Sequence, residues 1–174
     1  MSEMNRKNRD GLAVVALGGN LPGAFGSVEA ALDAALERLA AIGVEPVARS
    51  SWWRSTAWPD PADPPFLNGV ALVQTELEPL EILRRLRALE AEFGVRTGPR
   101  NSPRVLDLDL IAMGQTVMET PDLTLPHPRA AERLFVMGPL AQVAPEWLHP
   151  VLGERADALA VKATVGVDAR PIDR

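Results

Sequence analysis

Hydrophobic residues recur along the chain with two different spacings, and each spacing predicts a type of element. Residues 12–17 are continuously apolar and stop at a Gly-Gly-Asn sequence, which indicates a buried strand followed by a turn. Apolar residues within 28–42 repeat every three or four positions, so we expect a helix with Ser27 as its N-cap. Extended segments are expected over 47–54 and 67–75, and the proline-rich stretch between them indicates a loop.

The second half of the pattern adds a helix and a further strand. Residues 79–93 have helical spacing between a proline suited to a first turn and a glycine stop, and residues 105–113 alternate as a strand does. The resulting order is β-α-β-β-α-β, which predicts an antiparallel sheet with both helices on one face. After it we expect a hairpin around Gly114-Gln115 and a short helix over about 130–143.

The pattern predicts one folded domain over residues 12–165. We expect residues 1–11 to form a disordered tail and residues 166–174 a mobile one. The chain has 174 residues, 47% of them hydrophobic, which is enough for one core without a partner, so a monomer is expected. The longest apolar run has six residues, which argues against a signal peptide and a membrane span.

Composition narrows the chemistry. The chain has no cysteine, which excludes disulfides, thiolate nucleophiles and cysteine-ligated zinc and favours a reducing compartment, so a cytoplasmic protein is expected. A net charge of −5 argues against a nucleic-acid partner. Sixteen of the 18 basic residues are arginine, an excess that genomic base composition also explains. The clustering of six arginines within 84–104 nevertheless indicates a local anion site: Arg84, Arg85, Arg87, Arg96, Arg100 and Arg104.

The sequence Leu-Asp-Leu-Asp-Leu at 106–110 is the strongest chemical signal. On a strand, Asp107 and Asp109 share one face while the leucines face the core. Two neighbouring carboxylates need a cation, and oxygen ligands without His or Cys suit Mg²⁺. A solvated edge strand is the simpler alternative. Because arginines precede the pair, we favour a site for metal and phosphate, the combination that phosphoryl transfer uses.

A second cluster surrounds His127, which lies between two prolines in the sequence LPHPR. The prolines stiffen the loop, and Arg129 and Arg133 follow four residues apart on the predicted helix. A loop histidine is ordinarily just exposed, and that alternative stays open. The chain has no Walker loop and no GxGxxG sequence, so a nucleotide requires another mode of binding.

The chain contains four motifs in a specific order: LGGN, FLN at 66–68, RNSPRVLDLDLI and LPHPRAAERLFVMGPL. Over roughly residues 14–150 they resemble 6-hydroxymethyl-7,8-dihydropterin pyrophosphokinase of folate biosynthesis. The resemblance implies an α+β, ferredoxin-like sandwich, here with C-terminal additions. It also implies two small-molecule substrates, since this family transfers the diphosphate group of ATP to the hydroxymethyl group of the pterin and releases AMP.

The resemblance implies roles for individual residues. The implied catalytic residues are Arg100, Arg104, Asp107 and Asp109. The two aspartates are implied ligands of two Mg²⁺ ions that bridge the ATP phosphates. The implied nucleotide-binding residues are Arg96, Thr124, His127 and Arg133. The implied pterin-binding residues are Ser55, Thr56, Trp58, Phe66, Asn68 and Phe135, with the two phenylalanines stacked on opposite faces of the ring. Ordinary core packing is the alternative for those phenylalanines.

The chain departs from the family pattern at Val95, Asn101 and Ser102, where many members carry arginine, tryptophan and glycine or alanine. All three lie within residues 95–103, which we expect to close over the site when both ligands are bound. Two other functions remain open. One is a non-catalytic relative that binds pterin or nucleotide with a degraded loop, and the other is a magnesium-dependent phosphohydrolase.

Overall fold

The computed structural model describes residues 12–94 and 102–172. Its strands are β1 (Ala13–Gly19), β2 (Glu45–Arg49), β3 (Trp53–Ser55), β4 (Phe66–Gln74), β5 (Asp107–Met113), β6 (Met118–Glu119), β7 (Thr124–Leu125) and β8 (Arg170–Pro171). Its helices are α1 (Val28–Ala41), α2 (Pro79–Phe93), α3 (Leu134–Val143) and α4 (Ala156–Lys162). Short 3-10 turns lie at Gly23–Phe25 and Ala130–Glu132.

The large sheet runs in the order β5-β1-β4-β3-β8, with β2 also paired to β4. Strand β1 pairs antiparallel with β4 on one side and with β5 on the other. The predicted order of elements and the antiparallel sheet are confirmed. As a result, the C-terminal end of β1 lies between the N-terminal ends of β4 and β5, where most of the predicted chemistry is found.

The single extended segment expected over 47–54 is wrong, because the chain divides it into β2 and β3. Ser50 lies at the break: its N–H donates to the Val70 carbonyl at 2.9 Å, and its Oγ accepts from the Val70 N–H at 2.9 Å. Beside it, Trp52 packs so closely on Gly69 that a Cβ there would lie 2.5 Å from the ring. The spacing of hydrophobic residues could not predict this break, because it is formed by the hydrogen bonds of a single serine.

The predicted helices α1 and α2 cover one face of the sheet. Ser27 caps α1 as predicted, with its Oγ accepting from the Ala30 N–H at 3.0 Å. Every second side chain of the central strands packs against the apolar faces of both helices, and together they form the larger core. Its members include Val15, Leu17, Leu32, Leu39, Ile82, Leu86, Leu108 and Leu110.

Helices α3 and α4 cover the opposite face and supply the C-terminal additions to the sandwich. They form a second core with the other set of strand residues, including Val14, Val70, Ile111, Met137, Leu140 and Leu159. The helix expected over about 130–143 is confirmed as a 3-10 turn followed by α3, whereas α4 was not expected. Among the described residues, no helix combines the length and apolar character that a membrane crossing requires.

The hairpin expected around Gly114-Gln115 is wrong. A turn does form there, with the Thr116 N–H donating to the Met113 carbonyl at 3.0 Å, but β6 pairs with β7 and not with β5. The Gly114 N–H donates to the Leu12 carbonyl at 3.1 Å, which holds the turn beside the start of β1. The chain therefore leaves the large sheet before the next strand begins.

The tail expected to be mobile contributes a strand. Within the described residues 166–172, β8 pairs with Trp53 and Arg54 of β3. The Ile172 N–H continues this contact by donating to the Trp52 carbonyl at 3.0 Å. Its mobility in solution stays a prediction, as does the division into domain and tails. Residues 1–11 and 173–174 lie outside the described residues.

Candidate active site

Four residues from neighbouring strands form one row across the large sheet. Gly18 on β1 pairs with Asn68 on β4 and with Asp107 on β5, and Asn68 pairs with Trp53 on β3. Directly opposed residues of an antiparallel ladder point to the same face. Asn68, a predicted pterin ligand, and Asp107, a predicted metal ligand, therefore face the same side at about 10 Å, which is two strand spacings.

Two glycines at the end of β1 allow close contacts next to this row. A Cβ on Gly18 would lie 2.3 Å from Oδ1 of Asn68, and one on Gly19 would lie 2.2 Å from the carbonyl oxygen of Val105. The strand therefore continues through both glycines and does not stop at a turn after Leu17. Lack of space, and not an unusual backbone angle, requires glycine at both positions.

Burial along β5 follows the predicted alternation. Leu108 and Leu110 are buried in the larger core, whereas the side chains of Asp107 and Asp109 keep 29% and 38% of their surface exposed. Nη1 of Arg104 donates to Oδ2 of Asp107 at 2.6 Å. Nη2 of Arg87 lies 3.8 Å from Oδ1 of Asp109. Each carboxylate thus has an arginine beside it, which provides part of the positive charge that the pair requires.

Arg104 is held in place through its backbone. Its N–H donates to Oδ1 of Asn20 at 2.8 Å, and its carbonyl accepts from the Asn20 N–H at 2.9 Å. Nδ2 of Asn20 donates to the Pro64 carbonyl at 3.0 Å. One buried amide therefore joins the segment before β5 to the loop before β4. Sequence reasoning treated Asn20 as part of a turn, although its place in the LGGN motif was an available signal.

An ion pair on α2 holds the residue between the two aspartates. The Leu108 N–H donates to Oε2 of Glu90 at 3.0 Å, and Nη1 of Arg87 donates to the Leu108 carbonyl at 2.8 Å. The same Nη1 donates to Oε1 of Glu90 at 2.5 Å. Burial raises the pKa of the Glu90 carboxyl, and the charge of Arg87 opposes that rise. Sequence reasoning did not single out Glu90, because only the fold brings its carboxylate to β5.

The four clustered arginines that the structure describes, Arg84, Arg85, Arg87 and Arg104, do not act as one group. Arg84 and Arg85 donate to Glu81 on the same helix, at 2.5 Å and 2.9 Å, and these hydrogen bonds lower the pKa of the Glu81 carboxyl to about 2. Nη1 of Arg85 also donates to the Ile42 carbonyl at 2.8 Å. These two arginines therefore bind within α2 and to the end of α1. Of the four described arginines, Arg87 and Arg104 lie beside the aspartates.

The carboxylate side of the site, formed by Arg87, Arg104, Asp107, Asp109 and His127, contains a pocket of about 230 Å³. Arg87, Asp109 and His127 line it together with Thr124, so the structure brings together two of the residues predicted to bind nucleotide. Another of the four predicted nucleotide-binding residues, Arg133, lies towards the aromatic residues, with its guanidinium 5.7 Å from the ring centroid of Phe135.

His127 is half-buried and held in one orientation. Its N–H donates to the Ile111 carbonyl at 2.7 Å, at the bulge where β5 shifts register against β1, and its Nδ1 accepts from the Arg129 N–H at 3.2 Å. Burial lowers the pKa of His127, with Asp109 opposing the shift and Arg133 adding to it. The ring is therefore neutral at pH 7. Because Nδ1 accepts, the proton is on Nε2, which can donate to a ligand oxygen.

The aromatic side of the site is formed by Ser55, Thr56, Phe66, Asn68 and Phe135. Ser55 pairs with Phe66 across β3 and β4, two residues beyond the row that contains Asn68, and so faces the same side of the sheet. Phe66 and Phe135 are both half-buried, and Phe135 packs on the second core. The Arg104 guanidinium lies 6.0 Å from the ring centroid of Phe66. Through Arg104 the aromatic side is thus directly connected to the carboxylate side.

Two other predicted pterin residues lie in the loop after β3. The Thr56 N–H donates to Oδ2 of Asp168 at 2.8 Å, so this loop is tied to the C-terminal segment. Trp58 is 72% exposed, so the structure leaves its indole in solvent and does not pack it with the other aromatic residues. Arg96 and Arg100, and the loop predicted to close over the site, fall largely in residues 95–101, outside the described residues.

The donor set fits a magnesium ion that shares its coordination with phosphate. The described part of the chain contains no cluster of three or more acidic, His or Cys side chains suited to a metal. Two adjacent, partly exposed carboxylates leave most of an octahedral site to other oxygens. Mg²⁺ is commonly bound in this way, through one or two carboxylates together with substrate phosphates and water.

An antiparallel α+β fold whose exposed carboxylates and arginines flank a small pocket defines an enzyme of the phosphoryl-transfer class. The family model described as 7,8-dihydro-6-hydroxymethylpterin-pyrophosphokinase (HPPK) matches residues 14–145. The chain belongs to this family, which confirms the resemblance found in its motifs.

Two relatives with the same name support the assignment. A Synechocystis protein named 2-amino-4-hydroxy-6-hydroxymethyldihydropteridine pyrophosphokinase is 42% identical over 143 residues, covering 82% of this chain and 71% of the relative. A Pseudomonas aeruginosa protein of the same name is 39% identical over 158 residues, covering 90% of this chain and 95% of the relative.

Solved structures support the fold. A crystal structure of HPPK-DHPS in complex with substrates superposes with a TM-score of 0.66 at 13% identity, covering 86% of this chain and 43% of that chain. The Plasmodium falciparum HPPK-DHPS wild type with pteroate also gives 0.66 at 13% identity, covering 87% and 42%. The chain thus spans less than half of the solved proteins it resembles, and at this identity the likeness concerns architecture alone.

Proposed function

We propose that this chain transfers the diphosphate group of ATP to the hydroxymethyl group of 6-hydroxymethyl-7,8-dihydropterin in folate biosynthesis. In that reaction the hydroxymethyl oxygen bonds to the β-phosphorus, the bond from that phosphorus to the bridging α,β oxygen breaks, and AMP leaves. One observation carries the proposal. In the row Asn68–Gly18–Asp107, the amide of Asn68 lies about two strand spacings from the carboxylate of Asp107. The amide suits the polar edge of a pterin, and the carboxylate suits a metal ion.

Asp107 and Asp109 would hold two Mg²⁺ ions, whose charge neutralises the phosphate oxygens of ATP. Two observations support this. Side chains alternate along β5, so both carboxylates point away from the larger core. The Arg87–Glu90 pair also holds Leu108, the residue between the two aspartates. Arg104 donates a hydrogen bond to Asp107. We propose that ligand binding releases its guanidinium to the phosphate being transferred.

The nucleotide is proposed to bind across the pocket of the carboxylate side. His127 would donate from Nε2 to a phosphate or ribose oxygen, with Thr124 beside it. Arg133 would contact the phosphates from the start of α3. Arg96 and Arg100 would approach from the segment after α2, and we propose that this segment closes over the bound substrates.

The pterin is proposed to stack between Phe66 and Phe135, with its polar edge on Asn68. The contact of Gly18 with the Asn68 amide supports this role, because it limits where that amide can move. Ser55 and Thr56 would complete the pocket. Trp58, whose side chain is exposed, is proposed to cover the ligand from the loop after β3.

Partners and location are proposed on the same basis. The absence of cysteine favours a reducing compartment, so we propose a cytoplasmic enzyme. The net charge of −5 supports small substrates and not nucleic acid as partners. Two cores enclosed within one chain support a monomer.

The test is an assay for AMP released from ATP, with four conditions: complete, without Mg²⁺, without the hydroxymethyl-dihydropterin, and without protein. AMP formed only in the complete reaction supports the proposal. Release of diphosphate or phosphate without the pterin would indicate a phosphohydrolase. Ligand binding by calorimetry without AMP formation would indicate a non-catalytic relative.

A further inference from the structure

The C-terminal segment 164–172 lies beyond residues 14–145 that the family model matches, and it runs back over the aromatic side of the site. It begins beside α3, where the N–H groups of Thr164 and Val165 donate to the Glu132 carbonyl at 3.0 Å each. The Leu134 N–H donates to the Val165 carbonyl at 2.9 Å. The segment is therefore attached on both sides of Arg133, directly before Phe135.

Gly166 is the next contact along this segment, which we name the C-terminal strap. Its φ of +67° is a left-handed conformation, and a Cβ there would lie 2.5 Å from Cδ1 of Phe135. The strap backbone consequently lies directly on the phenylalanine ring. Any side chain at position 166 would displace either the strap or the ring.

The strap then reaches the loop after β3. Oδ2 of Asp168 accepts from the Thr56 N–H at 2.8 Å, and hydrogen bonds from Thr56 lower the pKa of the Asp168 carboxyl. The Ala169 N–H donates to the Gly166 carbonyl at 2.9 Å, closing a turn that orients Asp168 towards the loop, and Ala169 itself is buried. A single carboxylate thus links the strap to a predicted pterin residue.

The far end of the strap is anchored in the sheet. Arg170 and Pro171 pair with Arg54 and Trp53 of β3, and Ile172 packs against the larger core. Because both ends are fixed, Gly166 and Asp168 cannot move independently. The contact on Phe135 and the contact on Thr56 are held at a set separation.

We propose that the C-terminal strap sets the width of the pterin pocket, with Gly166 positioning Phe135 and Asp168 positioning the Thr56 loop. Both are positioning residues that act through Phe135 and Thr56. The inference rests on the proposed function, because it requires a flat heterocycle to bind between the parts that the strap connects. It predicts that damage to the strap weakens pterin binding selectively, while the ATP contacts of the carboxylate side are preserved.

Asp168→Ala is the first test. Loss of one hydrogen bond to a charged acceptor should raise the KM for the pterin by about tenfold, with less than about a twofold change in kcat and in the KM for ATP. Asp168→Asn keeps an acceptor oxygen and should restore most of the wild-type value. Asp157→Ala removes an exposed carboxylate from α4 and is the matched control.

Gly166→Ala tests the second contact, and Gly153 provides a control. Gly153 has the same φ of +67°, but a Cβ at this position would have nothing within 4 Å, so Gly153→Ala introduces the backbone strain without the clash. Gly166→Ala should weaken pterin binding by about tenfold through its contact with Phe135, and Gly153→Ala should not change it. Equal effects of the two variants would overturn the role of that contact.

Calorimetric titration with 6-hydroxymethylpterin, and separately with a non-hydrolysable ATP analogue, gives a readout that needs no turnover. Weaker pterin affinity with unchanged ATP affinity in Asp168→Ala and Gly166→Ala supports the strap. Unchanged pterin affinity, or equal loss of both affinities, overturns it. Failure of the proposed function would instead be seen in the unmutated protein, as pterin binding without AMP formation. Thermal melts of each variant separate local effects from unfolding.

Discussion

The carboxylate side and the aromatic side of the site are built by different means. On the carboxylate side, charges face one another: Arg104 contacts Asp107, and Arg87 lies near Asp109. On the aromatic side, the positions are set by close packing and backbone hydrogen bonds, as for Asn68 beside Gly18 and Thr56 beside Asp168. We expect the arginine–aspartate contacts to exchange partners when a ligand binds, and the packing contacts of the aromatic side to be retained.

This difference predicts different sensitivities. Partly exposed ion pairs weaken with salt, so substrate binding on the carboxylate side should depend on ionic strength and on Mg²⁺. Stacking and packing contacts are not screened in this way. Variants on the two sides should therefore separate in their response to ionic strength as well as in the substrate that they affect.

The largest effect is expected from Asp107→Asn or Asp109→Asn. Each removes a carboxylate that is turned away from the larger core, so turnover should fall to background while the thermal melt stays close to that of the unmutated chain. AMP assays over a Mg²⁺ titration measure the effect. Near-normal activity of either variant at ordinary Mg²⁺ would contradict the proposal that both carboxylates bind metal.

Arg104→Ala should reduce kcat by about 10²–10³-fold with a smaller change in the KM for ATP, because an arginine aimed at developing charge acts mainly in the transition state. Arg133→Ala should show the reverse, a raised KM for ATP with kcat nearly retained. Steady-state kinetics on both variants make the comparison. An unchanged kcat in Arg104→Ala would remove Arg104 from the catalytic residues.

Phe135→Ala tests the aromatic side in isolation. Loss of a stacking partner should weaken pterin binding by about tenfold to a hundredfold, while ATP affinity and its salt dependence are unchanged. Calorimetry with each ligand at two salt concentrations is the measurement. If both affinities fall together, Phe135 serves mainly as a core residue.

Substitutions at the two neighbouring glycines of β1 should affect different properties, pterin binding at Gly18 and stability at Gly19. Gly18→Ala should displace the Asn68 amide, which is the end of a flexible side chain, and weaken pterin binding by about tenfold with little loss of stability. Gly19→Ala meets the Val105 backbone and should reduce the free energy of unfolding by about 1–3 kcal/mol. Urea denaturation and pterin titration of both variants check this, and similar stabilities would argue against it.

The smallest effect concerns pH. Burial lowers the pKa of His127 in the folded chain below 6.5, its ordinary value in the unfolded chain. At a pH between the folded and the unfolded pKa, the unfolded chain binds more protons, so the free energy of unfolding falls as the pH drops. His127→Asn keeps an acceptor for the Arg129 N–H and cannot titrate. It should lose less stability than the unmutated chain between pH 7 and pH 5. Melting curves across that range measure the difference, and equal losses of stability in the variant and the unmutated chain would contradict it.

Elements with strong local periodicity were predictable from the sequence. Helices α1 and α2 and strand β4 were expected within one residue of their observed bounds, because each contains its own apolar stripe and stop signal. The alternation of Asp107 and Asp109 with buried leucines was equally local. The roles of the site residues stay predictions.

Features made by long-range contacts were not predictable. Strand β8 has only two residues, and its partner strand β3 lies more than a hundred positions earlier in the sequence. Helix α4 is short and has few large apolar residues, so it shows no clear stripe. Asn20 acts through Arg104 and Pro64, and neither partner is near it in sequence.

The Arg87–Glu90 pair has a further consequence for the behaviour of the chain at high concentration. Strand β5 is the outermost strand of the large sheet in the described residues, and most of its sequence is apolar. An open edge of this kind invites pairing with a strand of another molecule, which leads to aggregation. Because Glu90 and Arg87 occupy the N–H and the carbonyl of Leu108, the edge is blocked near its N-terminal end. The same ion pair that holds Leu108 between the two aspartates thereby also reduces the tendency of the chain to aggregate.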